Sequence, residues 1–132
     1  MKIFMINFRL LFRSFRFAFA GLSYVIRTQN NARFHLLATI LILIISLCLD
    51  LTLVQWCLIF FSISIVWIAE CFNTALEKLF DLVESNPNPL VKVGKDSGAA
   101  AVLISALLSM MIGLLVLLPS FIQKISFLIK SN

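Results

Sequence analysis

The stretch LTLVQWCLIFFSISIVWIAECFNTALEKLFDLVE, Leu51 to Glu84, decides the fold. Its first nineteen residues, Leu51 to Ala69, carry no formal charge. A helix of about 20 apolar residues is what crosses the hydrocarbon core of a bilayer. Beyond Glu70 apolar positions still recur between charged ones, so the same helix is predicted to run on past the membrane. It should stop at Ser85-Asn86-Pro87-Asn88-Pro89, whose two prolines cannot continue a helix.

The pattern repeats on both sides. No formally charged residue lies between Arg33 and Asp50, and none between Asp96 and Lys124. The reading is an all-α membrane protein with three transmembrane helices and an N-terminal amphipathic interfacial helix. We expect residues 1–30 to form the interfacial helix and 33–50 the first span. Residues 51–84 should form the second span with a cytoplasmic extension. Residues 92–119 should form the third helix, crossing as Ser97 to Leu118 with Pro119 as its stop. The 132 residues are then one integral membrane domain with no room for a separate soluble one. Composition agrees, since 61% hydrophobic content and a mean hydropathy of +1.06 exceed what an ordinary soluble domain carries.

A net charge of +5 does not point to nucleic acid, because most basic residues sit in one N-terminal block beside long apolar runs. There Arg9, Arg13 and Arg16 alternate with Phe8, Phe12, Phe15 and Phe19 at helical steps, which suits a helix lying among anionic headgroups with its arginine stems snorkelling to phosphates. Arginines among the apolar residues also leave no clean signal-peptide core with a cleavage site. Lys2, Arg9, Arg13, Arg16, Arg27 and Arg33 precede the first span with no acid among them. The positive-inside rule therefore puts the N-terminus and the loop of residues 82–95 in the cytoplasm, with Lys124 and Lys130 outside against the rule. Cys48, Cys57 and Cys71, odd in number and without paired spacing, read as small apolar fillers rather than a disulfide or zinc framework.

Five of the six acids, Glu70, Glu77, Asp81, Glu84 and Asp96, cluster around the same ends of the second and third spans. At about 100° per residue Glu77 and Asp81 flank Glu70 by about 20° on either side, with Asn73 about 60° away. One helix face thus presents carboxylate, amide, carboxylate, carboxylate, and Lys95-Asp96 stands across the turn. The plain reading of Glu77, Asp81 and Glu84 is a solvated helix end with Lys78 and Lys92 as partners. Glu70 lies deeper, and an uncompensated carboxylate there must protonate or bind something, which makes it a candidate general base. Gly94 and Gly98 in Gly94-Lys95-Asp96-Ser97-Gly98-Ala99-Ala100-Ala101 read as close helix packing. The segment is not a P-loop, because no glycine stands five residues before Gly94 and Lys95 is followed by Asp96.

Glu70-x-x-Asn73-Thr74-Ala75-Leu76-Glu77, then Asp81, then Lys95-Asp96-x-Gly98-Ala99-Ala100-Ala101 resembles the signature of the prokaryotic diacylglycerol kinase and undecaprenol kinase family. The resemblance runs from about Arg13 to Pro119. Ala20-Gly21-Leu22, Arg33-Phe34-His35, Pro89-Leu90 and Leu118-Pro119 look more like its undecaprenol kinase branch.

The resemblance implies a homotrimer in the bacterial inner membrane that transfers the γ-phosphate of MgATP to a lipid hydroxyl, of undecaprenol or diacylglycerol, at the cytoplasmic interface. It implies Glu70 as base on the lipid hydroxyl and Glu77 as ligand of Mg²⁺. Asn73, Glu77, Lys95 and Asp96 would line the ATP and phosphate site, with Arg13, Phe17, Arg33, His35 and Asn88 as further substrate or nucleotide contacts. His35 has a plainer reading too, a ring satisfied by a neighbouring carbonyl. Two positions depart from the family pattern. Gln29 stands where members usually carry a second metal-binding glutamate, so the chain is either a kinase with weaker metal affinity or a divergent member with another substrate or little activity. Asn88 stands where members often have a histidine near the adenine.

A different class, a small cation-conducting or assembly-forming membrane protein, would use the same carboxylates as a relay. It predicts polar residues through the full bilayer depth, whereas the first and third spans lack acids and the charges crowd at one side.

Overall fold

The computed structural model describes residues 7–84 and 86–130. Lys2, the first six residues of the expected interfacial helix and Ser85 of the turn lie outside them. Among the described residues the elements are α1 (Phe8–Thr28), α2 (Asn30–Leu47), α3 (Leu53–Val83) and α4 (Pro89–Lys130), with no strand. The last three are long and apolar enough to cross a membrane. At 1.5 Å per residue α2 is about 27 Å long, α3 about 46 Å and α4 about 63 Å, so α3 and α4 outreach a hydrocarbon core of roughly 30 Å.

Local chemistry sets the ends. Asn7 caps α1 by accepting from Arg9 N at 3.1 Å and Leu10 N at 3.3 Å. Gln29 is extended, with φ −103° and ψ 123°, and separates α1 from α2. The Arg33 guanidinium reaches back over this break, donating to Arg27 O at 2.5 Å and Ile26 O at 3.2 Å, so the last carbonyls of α1 are not left bare. Thr52 and Gln55 form a capping box that starts α3. Asn88 caps α4, its Oδ1 accepting from Leu90 N at 2.9 Å, and Pro89 takes the first helical position, where it needs no donor.

α3 and α4 form an antiparallel pair that contributes most of the packing. The buried residues of α3, Ile59, Ser62, Val66, Glu70, Asn73 and Thr74, recur at helical steps, as do Gly98, Val102, Ser105, Gly113 and Val116 on α4. Ile59 and Leu49 meet Val116 and Leu117 in the core. α2 buries only Ala32 and Ser46 and is tied to α3 by Trp67 Nε1, which donates to Thr39 Oγ1 at 3.2 Å. α1 buries only Val25, near its C-terminal end, and leaves Phe8, Phe12, Phe15 and Phe19 exposed beside its arginines.

Pro119 corrects the expected stop: it lies inside α4, which continues to Lys130. A proline ends helices where water can take over the freed backbone groups, and in hydrocarbon a break would instead orphan several carbonyls. Beside it Ser120 Oγ donates to Val116 O at 3.0 Å, and one turn further on Lys124 pairs with Asp50 at 2.5 Å.

Candidate active site

The site end of the α3–α4 pair is built in two layers. The inner layer comes from one face of α3. Glu70 is 2% exposed, and its Oε2 has no hydrogen-bond partner among the described residues. One turn on, Asn73 is also buried; its Nδ2 donates to Glu77 Oε1 at 3.2 Å while its Oδ1 has no partner among them. Glu77 Oε2 accepts from Gln29 Nε2 at 2.9 Å, bringing the α1–α2 break against α3. Gly98 of α4 faces this layer: a Cβ there would collide with Asn73 Oδ1, so glycine is what lets α4 approach. Gly94 serves the same purpose one turn earlier against the Phe80 ring.

The outer layer is exposed and made of ion pairs. Lys95 Nζ meets Asp81 Oδ1 at 2.6 Å, Lys78 meets Asp81 Oδ2 at 3.3 Å, and Lys92 meets Asp96 at 3.4 Å. Asp81 lies beyond the uncharged part of α3, and the hydrogen bond from Lys95, then that from Lys78, holds its carboxyl below the usual carboxylate range. Asp81, Lys92, Lys95 and Asp96 line a depression of about 540 Å³ together with Glu84 and Asn88. The plain reading of the helix-end acids holds for Asp81, which Lys78 takes; Lys92 instead takes Asp96 on its own helix, and Glu77 is held by Gln29 and Asn73 rather than by a lysine.

A third region lies one helical turn from the inner layer, toward the uncharged part of α3. An apolar cavity of about 680 Å³ runs between α2, α3 and α4, lined among others by His35, Thr39, Ile63, Val66, Met110 and Leu114. Val66 sits one turn before Glu70. The His35 ring meets Phe34 edge-on at 6.1 Å, and among the described residues no carbonyl satisfies it.

The fold thus gathers Glu70, Asn73, Glu77 and Gln29 in one layer, and Lys95, Asp96 and Asn88 in the next. It does not bring all the expected residues there. Arg13 stands over the Phe17 ring at 5.9 Å on the exposed part of α1, and Arg33 is occupied by the carbonyls of α1. Asp81 was visible in the sequence as part of the acidic face, but its role as the Lys95 partner needed the antiparallel packing of α4.

Among the described residues no three His, Cys, Asp or Glu side chains converge as a metal site. Magnesium needs less, since it binds through one or two carboxylates plus substrate phosphates and keeps waters. The hard oxygens of Glu77 and Gln29, with the unpartnered Asn73 Oδ1 beside them, suit that demand.

Residues 16–117 match the sequence model of the family described as prokaryotic diacylglycerol kinase. The chain is similar to the undecaprenol kinase of Bacillus subtilis, 38% identical over 108 residues that cover 82% of this chain and 88% of the relative. It is also similar to the diacylglycerol kinase of a Synechocystis species, 35% identical over 111 residues, 83% of this chain and 63% of the relative. With most of its length matched and both layers of the site inside the match, the chain belongs to the prokaryotic diacylglycerol kinase family, a family of membrane lipid kinases.

Proposed function

We propose that the protein phosphorylates the hydroxyl of undecaprenol or diacylglycerol with the γ-phosphate of ATP, at the cytoplasmic face of a bacterial inner membrane and as a homotrimer. The observation that carries this reading is the Glu70 carboxylate, buried and with one oxygen lacking a partner among the described residues, one helical turn beyond Val66 in the wall of the apolar cavity and one turn before the amide-carboxylate layer. A lipid hydroxyl is a donor, and a lipid whose apolar body occupies the cavity brings that donor toward Glu70.

Glu70 accepts the hydroxyl proton as the lipid oxygen bonds to the γ-phosphorus. The bond from that phosphorus to the β-γ bridging oxygen breaks, and ADP leaves with the electron pair. Lys95 and Lys92 in the outer depression offer positive charge to the triphosphate, with Asp81 and Asp96 holding the two side chains in place until it arrives. Glu77, Gln29 and Asn73 would hold Mg²⁺, which when bound neutralises charge on the transferring phosphoryl group. Asn88, fixed as the cap of α4 on the wall of the depression, is placed for the nucleoside end.

The basic N-terminal block supports the cytoplasmic placing of the site end. Lys124, which stood against that rule, is paired with Asp50, so its charge at the far end is compensated.

The test is transfer of labelled phosphate from ATP to undecaprenol and to diacylglycerol, side by side in mixed micelles. Product on either lipid supports the reading, and the ratio assigns the acceptor; no product on both overturns it. Lys95→Ala should raise the ATP concentration needed without changing the lipid dependence. An effect confined to the lipid would remove Lys95 from the phosphate.

A further inference from the structure

Gln29 is the single extended residue between two helices, and its side chain joins that break to α3. The Glu77 carboxylate receives Gln29 Nε2 at 2.9 Å on one oxygen and Asn73 Nδ2 at 3.2 Å on the other. Two neutral donors from separate elements therefore hold the anion. α1 itself buries only Val25, and this hydrogen bond ties its end to α3 as Arg33 ties it to α2.

A primary amide has a donor and an acceptor on one planar group, and half a turn about its last torsion exchanges them. A carboxylate at this position could only accept. Next to Glu77 it would repel until a cation came between the two. An amide can do both jobs: give its N–H to Glu77 when no cation is present, and turn its Oε1 toward a cation shared with Glu77 when one is. We propose that Gln29 is a positioning residue that assembles the α1–α3 junction around Glu77 without a cation, and that its half-turn exchanges the Glu77 hydrogen bond for a cation ligand. This rests on reading Glu77 as the residue that takes Mg²⁺. The junction is then closed in both states, and α1 does not wait for metal to dock.

Trypsin cleavage after Arg27 reads the junction, because that residue is exposed, sits in the last turn of α1 and has its carbonyl held by Arg33, so cleavage needs this helix end to open locally. The experiment uses the full chain in detergent without nucleotide or lipid substrate, in chelator and then in Mg²⁺ alone. The wild-type rate should be the same in both. Gln29→Glu should be cut roughly tenfold faster in chelator, because it loses the hydrogen bond and sets two carboxylates side by side, and should return toward the wild-type rate in Mg²⁺. Gln29→Ala should be cut faster in both conditions.

A wild-type chain protected only in Mg²⁺ would overturn the proposal. So would a Gln29→Glu chain that is equally protected in chelator, or one that Mg²⁺ does not rescue. Should that variant fail to fold in chelator, the wild-type and Gln29→Ala comparison still decides whether the amide closes the junction. Failure of the kinase reading would show separately, as absent lipid phosphorylation with this protection pattern intact.

Discussion

The two ends of the α3–α4 pair are made from the same helices and treat their polar groups in opposite ways. At the far end the polar side chains that join the helices are paired. Gln55 accepts from Thr52 N at 2.8 Å and donates to Ser120 Oγ at 3.1 Å, Ser120 passes its own proton to Val116 O, and Lys124 meets Asp50. At the site end Glu70 Oε2 and Asn73 Oδ1 are buried without a donor among the described residues, although Asn73 Nδ2 and Gln29 Nε2 are close enough to serve Glu77. Acceptors outnumber donors there. Leaving such oxygens bare costs on the order of 1–3 kcal/mol each, so a structural end is built as the far one is, whereas a site keeps acceptors that a donor or a cation would satisfy. Ser46 Oγ, near the far end of α2, is also without a partner among the described residues; it is the exception there, a neutral hydroxyl close in sequence to the apolar core around Leu49 rather than to the carboxylate layer.

The sharpest way to break this comparison is to make the site end satisfied. Glu70→Gln keeps the shape and adds a donor where the carboxylate had none, and it cannot accept the lipid proton. We expect transfer to fall on the order of a hundredfold to ten-thousandfold while the protein still inserts. The readout is turnover per folded protein in mixed micelles. Turnover near that of the wild type would show that the bare oxygen is not the base and that the two ends differ only in packing.

Gly98→Ala tests the same end through shape. Its Cβ would strike Asn73 Oδ1, and overpacking of this kind destabilises by about 1–3 kcal/mol. Asn73→Ala removes the obstacle, so the double variant should recover most of the lost stability without recovering activity. A detergent denaturation series on the single and double variants measures the coupling. If the two losses simply add, the glycine is not there to admit Asn73.

How much of this could be read from the chain follows from what periodicity encodes. The carboxylate face from Glu70 to Asp81 was legible because 3.6 residues per turn places residues seven and eleven apart on one side, whatever the helix packs on. The order of spans was legible because a long uncharged apolar run suits a bilayer better than water. The cavity was not legible. α2 is apolar all round, so nothing in Leu, Ile and Phe distinguishes the side facing α3 from the side facing lipid. The Gln29–Glu77 contact joins residues 48 apart, and it was reached through family resemblance rather than spacing. Pro119 departs from expectation for a physical reason: the rule that proline ends a helix assumes that water takes over the freed groups, and an apolar membrane setting removes that alternative.

The smallest expected effect lies at the far end, and it sharpens the contrast by being small. Lys124 meets Asp50 at 2.5 Å, yet the Asp50 side chain is 83% exposed and that of Lys124 37% exposed. An ion pair so open to water competes with solvation and salt, and such pairs contribute about 0–1 kcal/mol. Lys124→Ala should therefore lower stability slightly, less so in high salt, and leave phosphoryl transfer unchanged. Removing this lysine also takes one of the two basic residues that follow the third span, Lys124 and Lys130, away from the far side, which favours the same orientation on the positive-inside rule. Protease accessibility of the two faces in sealed vesicles, measured with turnover, checks both statements. A loss of transfer approaching that of Glu70→Gln would mean that the far end feeds the reaction, and the division of the α3–α4 pair into a satisfied end and a reactive one would not hold.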